Sequence, residues 1–179
     1  YWRMLFVNLR GNLKPEEGSI GFLSPLGLIY INTLGGVTWL TWDEPILFAQ
    51  ILKFTKETQS LIHHLGRYFF AGEWDFSWFE IKQMPRFYLY SRQNIPRTLE
   101  VYEYLRRAVP PGSVITYKEL SEATGIHPRG IGSILRSNPW PIIVPCHRVI
   151  GSNGSLVGYA GGLKKKRWLL RLEGYPLAT

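Results

Sequence analysis

The sequence predicts a mixed α/β (α+β) protein of two domains. The N-terminal domain, residues 1–92, is expected to combine a small antiparallel-containing sheet with helices. The C-terminal domain, residues 93–179, is expected to be mainly helical and winged-helix-like, with a helix-turn-helix. Three observations predict this division: strand-like alternation punctuated by glycine before residue 43, helix-capping signals after residue 97, and a connector rich in turn residues, Met84–Pro96.

Strands are predicted at the start of the first domain. The apolar segment Tyr1–Leu9 is short and interrupted by polar residues, so a strand is expected there and not a signal peptide or a membrane span. Leu26–Asn32 and Val37–Trp42 alternate on either side of Gly35 and Gly36, a pattern typical of a β-hairpin.

Helical spacing follows. Pro45 opens a helical pattern over residues 46–52, and a second helix is predicted over Lys56–Phe70, with Gly72 just past its end. Its apolar face consists of Leu61, Leu65 and Phe69. Trp74–Lys82 is predicted to be a further strand.

In the second domain, the signals for where each helix begins and ends are clearer. Thr98 is expected to cap a helix that runs to Val109, and Thr116 with Glu119 forms a capping box for a short helix that ends near Gly125. A second helix of about eight residues then reaches Ser137 and bears Arg129 and Arg136, so the pair is typical of a helix-turn-helix. The last helix is predicted over Leu163–Glu173, with Gly174 as its cap.

Two features of these helices admit alternatives. Gly130, Gly132 and Ser133 lower the stability of the second helix, which is explained either by an external groove wall that comes close or by tight packing inside the protein. The four cations 164–167 lie in the first turn of the last helix, where the helix dipole disfavours them. They are either a solvated face or compensated by an external anion.

The positive charge is concentrated in the second domain. Residues 95–179 hold 12 Lys and Arg against 5 Asp and Glu, whereas residues 1–94 hold 9 against 8. Such an excess indicates a polyanionic partner, with nucleic acid ahead of a membrane surface because no cationic amphipathic helix stands out. The alternative is a basic surface that serves solubility alone.

A single cysteine, Cys146, is the candidate reactive group. One cysteine cannot form an intramolecular disulfide, which favours a reducing, intracellular setting. The apolar run Ile142–Val144, which could be a buried strand, leads into Pro145. A lone cysteine is commonly a small buried hydrophobic residue, but His147 and Arg148 are expected to lower its pKa and make the thiol nucleophilic. His63 and His64 are adjacent on one helix and cannot both face one ligand, so no metal site is expected.

The segment Pro145–Val149 resembles the active-site motif of the O6-alkylguanine-DNA alkyltransferases, also called methylated-DNA-protein-cysteine methyltransferases. Further matching segments occur in the family's order over about residues 97 to 174: Val114–Tyr117, Arg129 with Asn138-Pro139, Gly158–Gly162 and Leu169–Gly174. The first half is similar only through Tyr68–Glu73.

The resemblance implies stoichiometric DNA repair, in which Cys146 takes the alkyl group from O6-alkylguanine in double-stranded DNA. It implies that His147 acts as general base through a water and that Glu173 orients the imidazole. Asn138 would tie the recognition helix to the active-site turn. Tyr117 would help rotate the nucleotide and donate a hydrogen bond to guanine N3.

Other roles follow from the same resemblance. Four residues would line the base pocket: Leu135, Val149, Tyr159 and Ala160. Arg129 would fill the vacated place in the base stack, and the recognition helix would lie in the minor groove through Gly130, Ser133 and Arg136. No cofactor, metal or membrane association is implied, and the chain is expected to be a monomer in the cytoplasm, or in the nucleus of a eukaryote.

Two departures from the family pattern affect these expectations. Some members carry serine at the position of Ala160, and some bind zinc through cysteines that this first domain lacks. Two other functions remain: a DNA-binding protein without catalysis, such as a lesion sensor or a helix-turn-helix regulator, and a Cys-His hydrolase. Sensors in the family replace the cysteine, whereas a hydrolase needs an acyl pocket and an oxyanion hole that this sequence does not indicate.

Overall fold

The computed structural model describes residues 14, 15, 17–34, 36–43, 53–81 and 95–177. They fall into two compact units, one containing the described residues up to 75 and the other containing 76–81 together with 95–177. The predicted strand Tyr1–Leu9, the helical pattern over 46–52 and most of the connector Met84–Pro96 lie outside the described residues.

The first unit contains a three-stranded antiparallel sheet of β1 (Gly18–Ser24), β2 (Gly27–Leu34) and β3 (Val37–Trp42), in that order. Leu34 lies opposite Val37, so the predicted hairpin between β2 and β3 is confirmed. Branched apolar side chains favour pleated surfaces, and those of Ile29, Ile31 and Leu40 are buried.

Helix α1 (Lys56–Ala71) confirms the second predicted helix of this unit. Thr55 caps its N-terminus by accepting a hydrogen bond from the Thr58 N–H at 3.1 Å. Gly72 ends it in the left-handed region at φ 70°, which glycine adopts without steric cost. The predicted apolar face of α1 is buried.

The strand predicted over Trp74–Lys82 is wrong for the described residues 74–81, which form an irregular segment. The Phe79 N–H donates to the Phe76 carbonyl at 3.0 Å and closes a turn. Arg106 then donates to the carbonyls of Phe76 and Phe79 at 2.6 and 2.9 Å. Because a cation takes the acceptors that a neighbouring strand would need, the segment joins the second unit as a loop.

Helix α2 (Ile95–Ala108) begins earlier than predicted. Thr98 is therefore not its cap but a buried residue of its first turns. Pro96 is the second helical residue, a position where proline is tolerated because the first N–H groups of a helix lack partners in any case. The stripe of Val101, Tyr102 and Leu105 is buried as predicted.

Strand β4 (Ile115–Thr116), α3 (Tyr117–Thr124) and α4 (Pro128–Arg136) follow one another closely. The capping box is confirmed: the Thr116 hydroxyl accepts from the Glu119 N–H at 3.1 Å, and the Glu119 carboxylate accepts from the Thr116 N–H at 2.7 Å. Gly125, at φ 66°, ends α3. The two helices are thus joined by a short turn.

The remaining elements are β5 (Val149–Ile150) and α5 (Leu163–Leu172). β5 runs parallel to β4, with Ile115 opposite Val149, and this pairing brings the start of α3 close to the segment before β5. The predicted mixed α/β class is confirmed, and the winged-helix arrangement remains a prediction. Within residues 53–81 and 95–177, no helix combines the length and apolar character needed to cross a membrane.

Candidate active site

The segment before the cysteine is a buried turn, so the predicted strand over Ile142–Val144 is wrong. The Val144 N–H donates to the Trp140 carbonyl at 2.8 Å, and Ile142 has φ 76°, a conformation that branched residues rarely adopt. Pro141 restricts the backbone immediately before it. Ile142 itself is fully buried, so its packing holds the unfavourable backbone in place.

Cys146 begins a 3-10 turn, Cys146–Arg148, that leads directly into β5. Asn138, just beyond the end of α4, ties this turn to the helix. Its Nδ2 donates to Cys146 Sγ at 3.2 Å and to the Val144 carbonyl at 3.1 Å, while its Oδ1 accepts from the Trp140 N–H at 2.9 Å. One amide therefore fixes both the sulfur and the backbone around it.

His147, Arg148 and Glu173 form a buried cluster behind the cysteine. His147 Nε2 and Glu173 Oε1 are 2.8 Å apart, and Arg148 contacts both carboxylate oxygens of Glu173. Arg148 Nη1 also donates to the Val109 carbonyl at 2.6 Å, at the end of α2. The structure thus brings together the predicted base and its predicted partner. Arg148, which was expected to act on the thiol, instead bonds the carboxylate of Glu173.

The protonation states follow from burial and from these contacts. Burial alone would raise the pKa of Glu173, but His147 and Arg148 outweigh it and hold that pKa well below its usual range. Burial lowers the pKa of His147, against the opposing effect of Glu173. The resting pair is therefore a carboxylate and a neutral imidazole that donates from Nε2. His147 Nδ1 is buried and has no hydrogen-bond partner among the described residues.

Burial also raises the pKa of the Cys146 thiol, although the Asn138 hydrogen bond and the charge of Lys166 oppose it. The prediction that neighbouring residues lower this pKa is therefore wrong for the resting protein. The reason is that Arg148 directs its charge to Glu173, and that desolvation of a thiolate costs more than the nearby donors return. The resting sulfur is protonated.

A cavity of about 650 Å³ opens onto Cys146. Its wall includes most of the residues expected to bind the substrate base or DNA: Tyr117, Arg129, Ser133, Leu135, Arg136, Tyr159 and Ala160. Val149 does not line it and is fully buried; its N–H bonds the Cys146 carbonyl, and its carbonyl accepts from Lys166 at 2.5 Å. Burial raises the pKa of Tyr117, so its hydroxyl keeps its proton as a donor.

Helix α4 presents a divided surface. Ile131, Ile134 and Leu135 are buried, and the Tyr102 hydroxyl donates to the Ile134 carbonyl at 2.8 Å. Arg129, Ser133 and Arg136 are exposed along the other side.

The glycines of α4 differ from each other. A Cβ on Gly130 would lie 3.0 Å from the side chain of Ile126, whereas one on Gly132 would meet nothing within 4 Å. Internal packing thus accounts for Gly130 and not for Gly132, which lines the cavity.

Lys166 is the site residue that sequence reasoning missed. Of the four cations 164–167, it is fully buried, and Nζ bonds the carbonyls of Val149, Val157 and Gly158. Lys166 stands three and four residues before Leu169 and Leu170, both buried, so helical spacing was the available signal.

Comparison with known proteins places these residues in a family context. Residues 96–175 match the family model described as 6-O-methylguanine DNA methyltransferase, DNA binding domain. A methylated-DNA–protein-cysteine methyltransferase from Shigella flexneri is 51% identical over 85 residues, which are 46% of this chain and 48% of that protein. The chain therefore spans about half the length of that relative. The protein of the same name from Metallosphaera sedula is 34% identical over 152 residues, covering 81% of this chain and 90% of the relative.

The fold agrees with a solved structure. A crystal structure of Mycobacterium tuberculosis OGT in complex with DNA has a TM-score of 0.63 and 27% sequence identity, and the match covers 86% of this chain and 90% of the other.

Proposed function

Because this chain belongs to the family of methylated-DNA–protein-cysteine methyltransferases, we propose that it repairs DNA by moving the alkyl group of O6-alkylguanine onto its own Cys146. The observation that carries the proposal is the placement of the chain's only cysteine. Its sulfur lies at a cavity of about 650 Å³, is held by Asn138 at 3.2 Å, and is backed by a buried imidazole–carboxylate pair. A merely structural cysteine needs none of these neighbours.

The first step is removal of the thiol proton. Since burial raises the pKa of Cys146, a base must accept this proton as the nucleophile forms. His147 Nδ1 is the buried nitrogen with no protein partner among the described residues, and its tautomer is set by Nε2–H on Glu173. The proton passes to Nδ1 through a water, and the Glu173 carboxylate stabilises the imidazolium.

The second step is displacement at carbon. The sulfur of Cys146 forms a bond to the alkyl carbon as the bond from that carbon to guanine O6 breaks. The electron pair of the broken bond passes to guanine, which takes up a proton from water and leaves as the normal base, while the imidazolium of His147 returns the thiol proton to water. The Tyr117 hydroxyl, on the cavity wall with its pKa raised by burial, is suited to donate a hydrogen bond to the leaving base.

The substrate base must leave the duplex to reach this sulfur, because Cys146 is 6% exposed. The exposed side of α4 supports minor-groove docking: Gly132 leaves room for a groove wall, and Arg129 stands at the start of the helix on the cavity rim. Arg129 is proposed to occupy the place of the extruded base, and Arg136 to contact the phosphate backbone. The proposed partner is accordingly double-stranded DNA with O6-alkylguanine.

Intact-mass analysis after mixing with duplex DNA containing O6-methylguanine tests the proposal. One methyl group per chain is expected, mapped to Cys146 and absent in Cys146→Ser. The same duplex with unmodified guanine is the control and leaves the mass unchanged. Folded protein that binds the modified duplex without gaining mass would instead identify a DNA-binding protein without catalysis.

A further inference from the structure

Lys166 is a buried cation whose contacts are all backbone carbonyls. Its side chain is fully buried in α5, and its ammonium donates to the carbonyls of Val149, Val157 and Gly158 at 2.5, 2.7 and 3.3 Å. An ammonium has three donors, so this set satisfies it completely. No carboxylate among the described residues pairs with it, unlike Arg148, which is neutralised by Glu173.

The three carbonyls belong to two separate segments that follow the cysteine in the chain. Val149 directly follows the 3-10 turn that carries Cys146. Val157 and Gly158 belong to the loop 151–162 and line the cavity together with Tyr159 and Ala160. This loop contains no helix or strand, and backbone hydrogen bonds such as that from the Gly151 N–H to the Ser155 carbonyl at 2.9 Å lie within it.

The choice of a lysine at this buried position carries a cost. Burial lowers the pKa of Lys166 to about 8, and the negative charge that Cys146 carries when ionised opposes the change. An apolar side chain of similar length would fill the same space without that desolvation penalty. Packing alone therefore does not explain why an ammonium group lies here. Its hydrogen bonds to carbonyls of two separate segments do explain it, because they hold those segments together.

We infer that Lys166 is a positioning residue, which fastens the cavity wall at Val157 and Gly158 to strand β5 and so sets the shape of the base pocket beside Cys146. The part of the inference that concerns alkyl transfer rests on the proposed function. Its structural part, the order of the loop, does not depend on any activity. Lys166 donates its hydrogen bonds to Val149, Val157 and Gly158 and not to the sulfur, although its charge favours the thiolate of Cys146. Its effect on the shape of the pocket therefore passes through the loop.

Three variants separate its hydrogen bonds from its charge and from general stability. Lys166→Met keeps the length and removes the donors and the charge. Lys166→Gln keeps amide donors without the charge, and serves also if the methionine variant does not fold. Lys164→Met is the matched control, since Lys164 is an exposed lysine in the same turn of α5.

The first measurement is hydrogen exchange of the free protein, followed by mass spectrometry of peptides. In Lys166→Met, amides of residues 155–162 are expected to exchange about tenfold faster or more, while those of α2 keep their rate. Lys166→Gln should lie between that variant and the parent, and Lys164→Met should match the parent. An unchanged rate over 155–162, or an equal rise over every peptide, overturns the inference.

The second measurement is single-turnover alkylation by free O6-methylguanine base over a range of concentrations. A loosened pocket wall should raise the half-saturating concentration about tenfold in Lys166→Met while the limiting rate changes less, and Lys166→Gln should restore part of the loss. A fall in the limiting rate with an unchanged half-saturating concentration would overturn it. If the parent chain transfers no alkyl group, the proposed function fails, and the exchange measurement still decides the role of Lys166.

Discussion

Arg148 holds Glu173 with two hydrogen bonds, from Nε to Oε2 at 2.8 Å and from Nη2 to Oε1 at 2.9 Å, and their side chains are 0% and 2% exposed. This paired geometry directs a permanent positive charge at the carboxylate that also accepts a hydrogen bond from His147. The candidate active site therefore depends on an arginine whose hydrogen bonds hold Glu173 and the Val109 carbonyl. The ion pair leaves the imidazole neutral and oriented.

Arg148→Met is expected to destabilise the fold strongly. It leaves the buried Glu173 carboxylate without its main counter-charge, and removing one partner of a buried pair costs about 3–5 kcal/mol. Urea unfolding at neutral pH measures the free energy of unfolding. Arg171→Met, at an exposed arginine of α5, is the control and should change stability by less than about 0.5 kcal/mol. Equal losses in the two variants would contradict the stabilising role of the pair.

The free energy of unfolding should fall with acid below about pH 4.5, the ordinary pKa of a glutamate. The pKa of Glu173 is lower in the folded protein, so the unfolded chain binds the proton first as the pH falls. The stabilisation is thus fully present above the unfolded pKa and is lost as the pH approaches the folded pKa.

Urea titrations between pH 3 and 7 test this dependence on parent and Glu173→Gln, whose stability should change less with pH over this range. Glu122→Gln is the control, because Glu122 is an exposed partner of Lys118 at 3.9 Å and should leave the slope unchanged. A slope in Glu173→Gln as steep as that of the parent would assign the acid sensitivity to other carboxylates.

Asn138→Asp should slow the reaction of Cys146. Aspartate can still accept from the Trp140 N–H, but it cannot donate to the sulfur or to the Val144 carbonyl, and it places a negative charge near the thiolate. The pKa of the thiol should therefore rise further, and the rate of alkylation by iodoacetamide should reach its half-maximum at higher pH than in the parent. Asn153→Asp, in the exposed turn after β5, serves as the control. A half-maximum at unchanged pH would remove Asn138 from thiolate stabilisation.

Arg129→Ala should affect duplex substrates selectively. Arg129 is exposed at the first turn of α4 on the cavity rim, so we expect it to stabilise the duplex after the base has left. Single-turnover transfer from duplex should slow by about tenfold or more, whereas transfer from the free base should change by less than about twofold. Arg167→Ala, at an exposed arginine of α5, should alter neither. Equal loss on both substrates would exclude the flipping role.

Gly132→Ala should make the protein more stable and its binding to duplex weaker. A Cβ at this position meets nothing within 4 Å, so helix propensity alone should add about 1 kcal/mol to the free energy of unfolding. The same methyl group would stand in the space assigned to the groove wall. Calorimetry and binding to unmodified duplex measure the two effects. Gly130→Ala is the comparison, because its Cβ would lie 3.0 Å from Ile126. Unchanged duplex affinity in Gly132→Ala would move the docking surface away from this helix.

Local sequence patterns determined several helix ends and one hairpin of this protein. The capping box of Thr116 and Glu119 and the glycine at the end of α1 depend on contacts between residues a few positions apart, which any reader of the sequence can place. The hairpin of β2 and β3 has the same origin. Cys146 was selected from the sequence itself, as the single cysteine beside His147 and Arg148. The role of His147 as a base and that of Glu173 came from the family resemblance, and the structure brings their side chains to 2.8 Å.

Tertiary structure decided what depends on burial and on distant partners. Residues 74–81 have the composition of a strand but form a loop, because Arg106 of α2 takes their carbonyls. The pKa of Cys146 is raised rather than lowered, because burial of the sulfur outweighs its donors and Arg148 is directed to Glu173, 25 residues away. Lys166 differs from its neighbouring cations only because helix packing points it inward, where carbonyls from two other segments meet it. Desolvation depends on the whole fold, and so its sign could not be read from neighbouring residues in the chain.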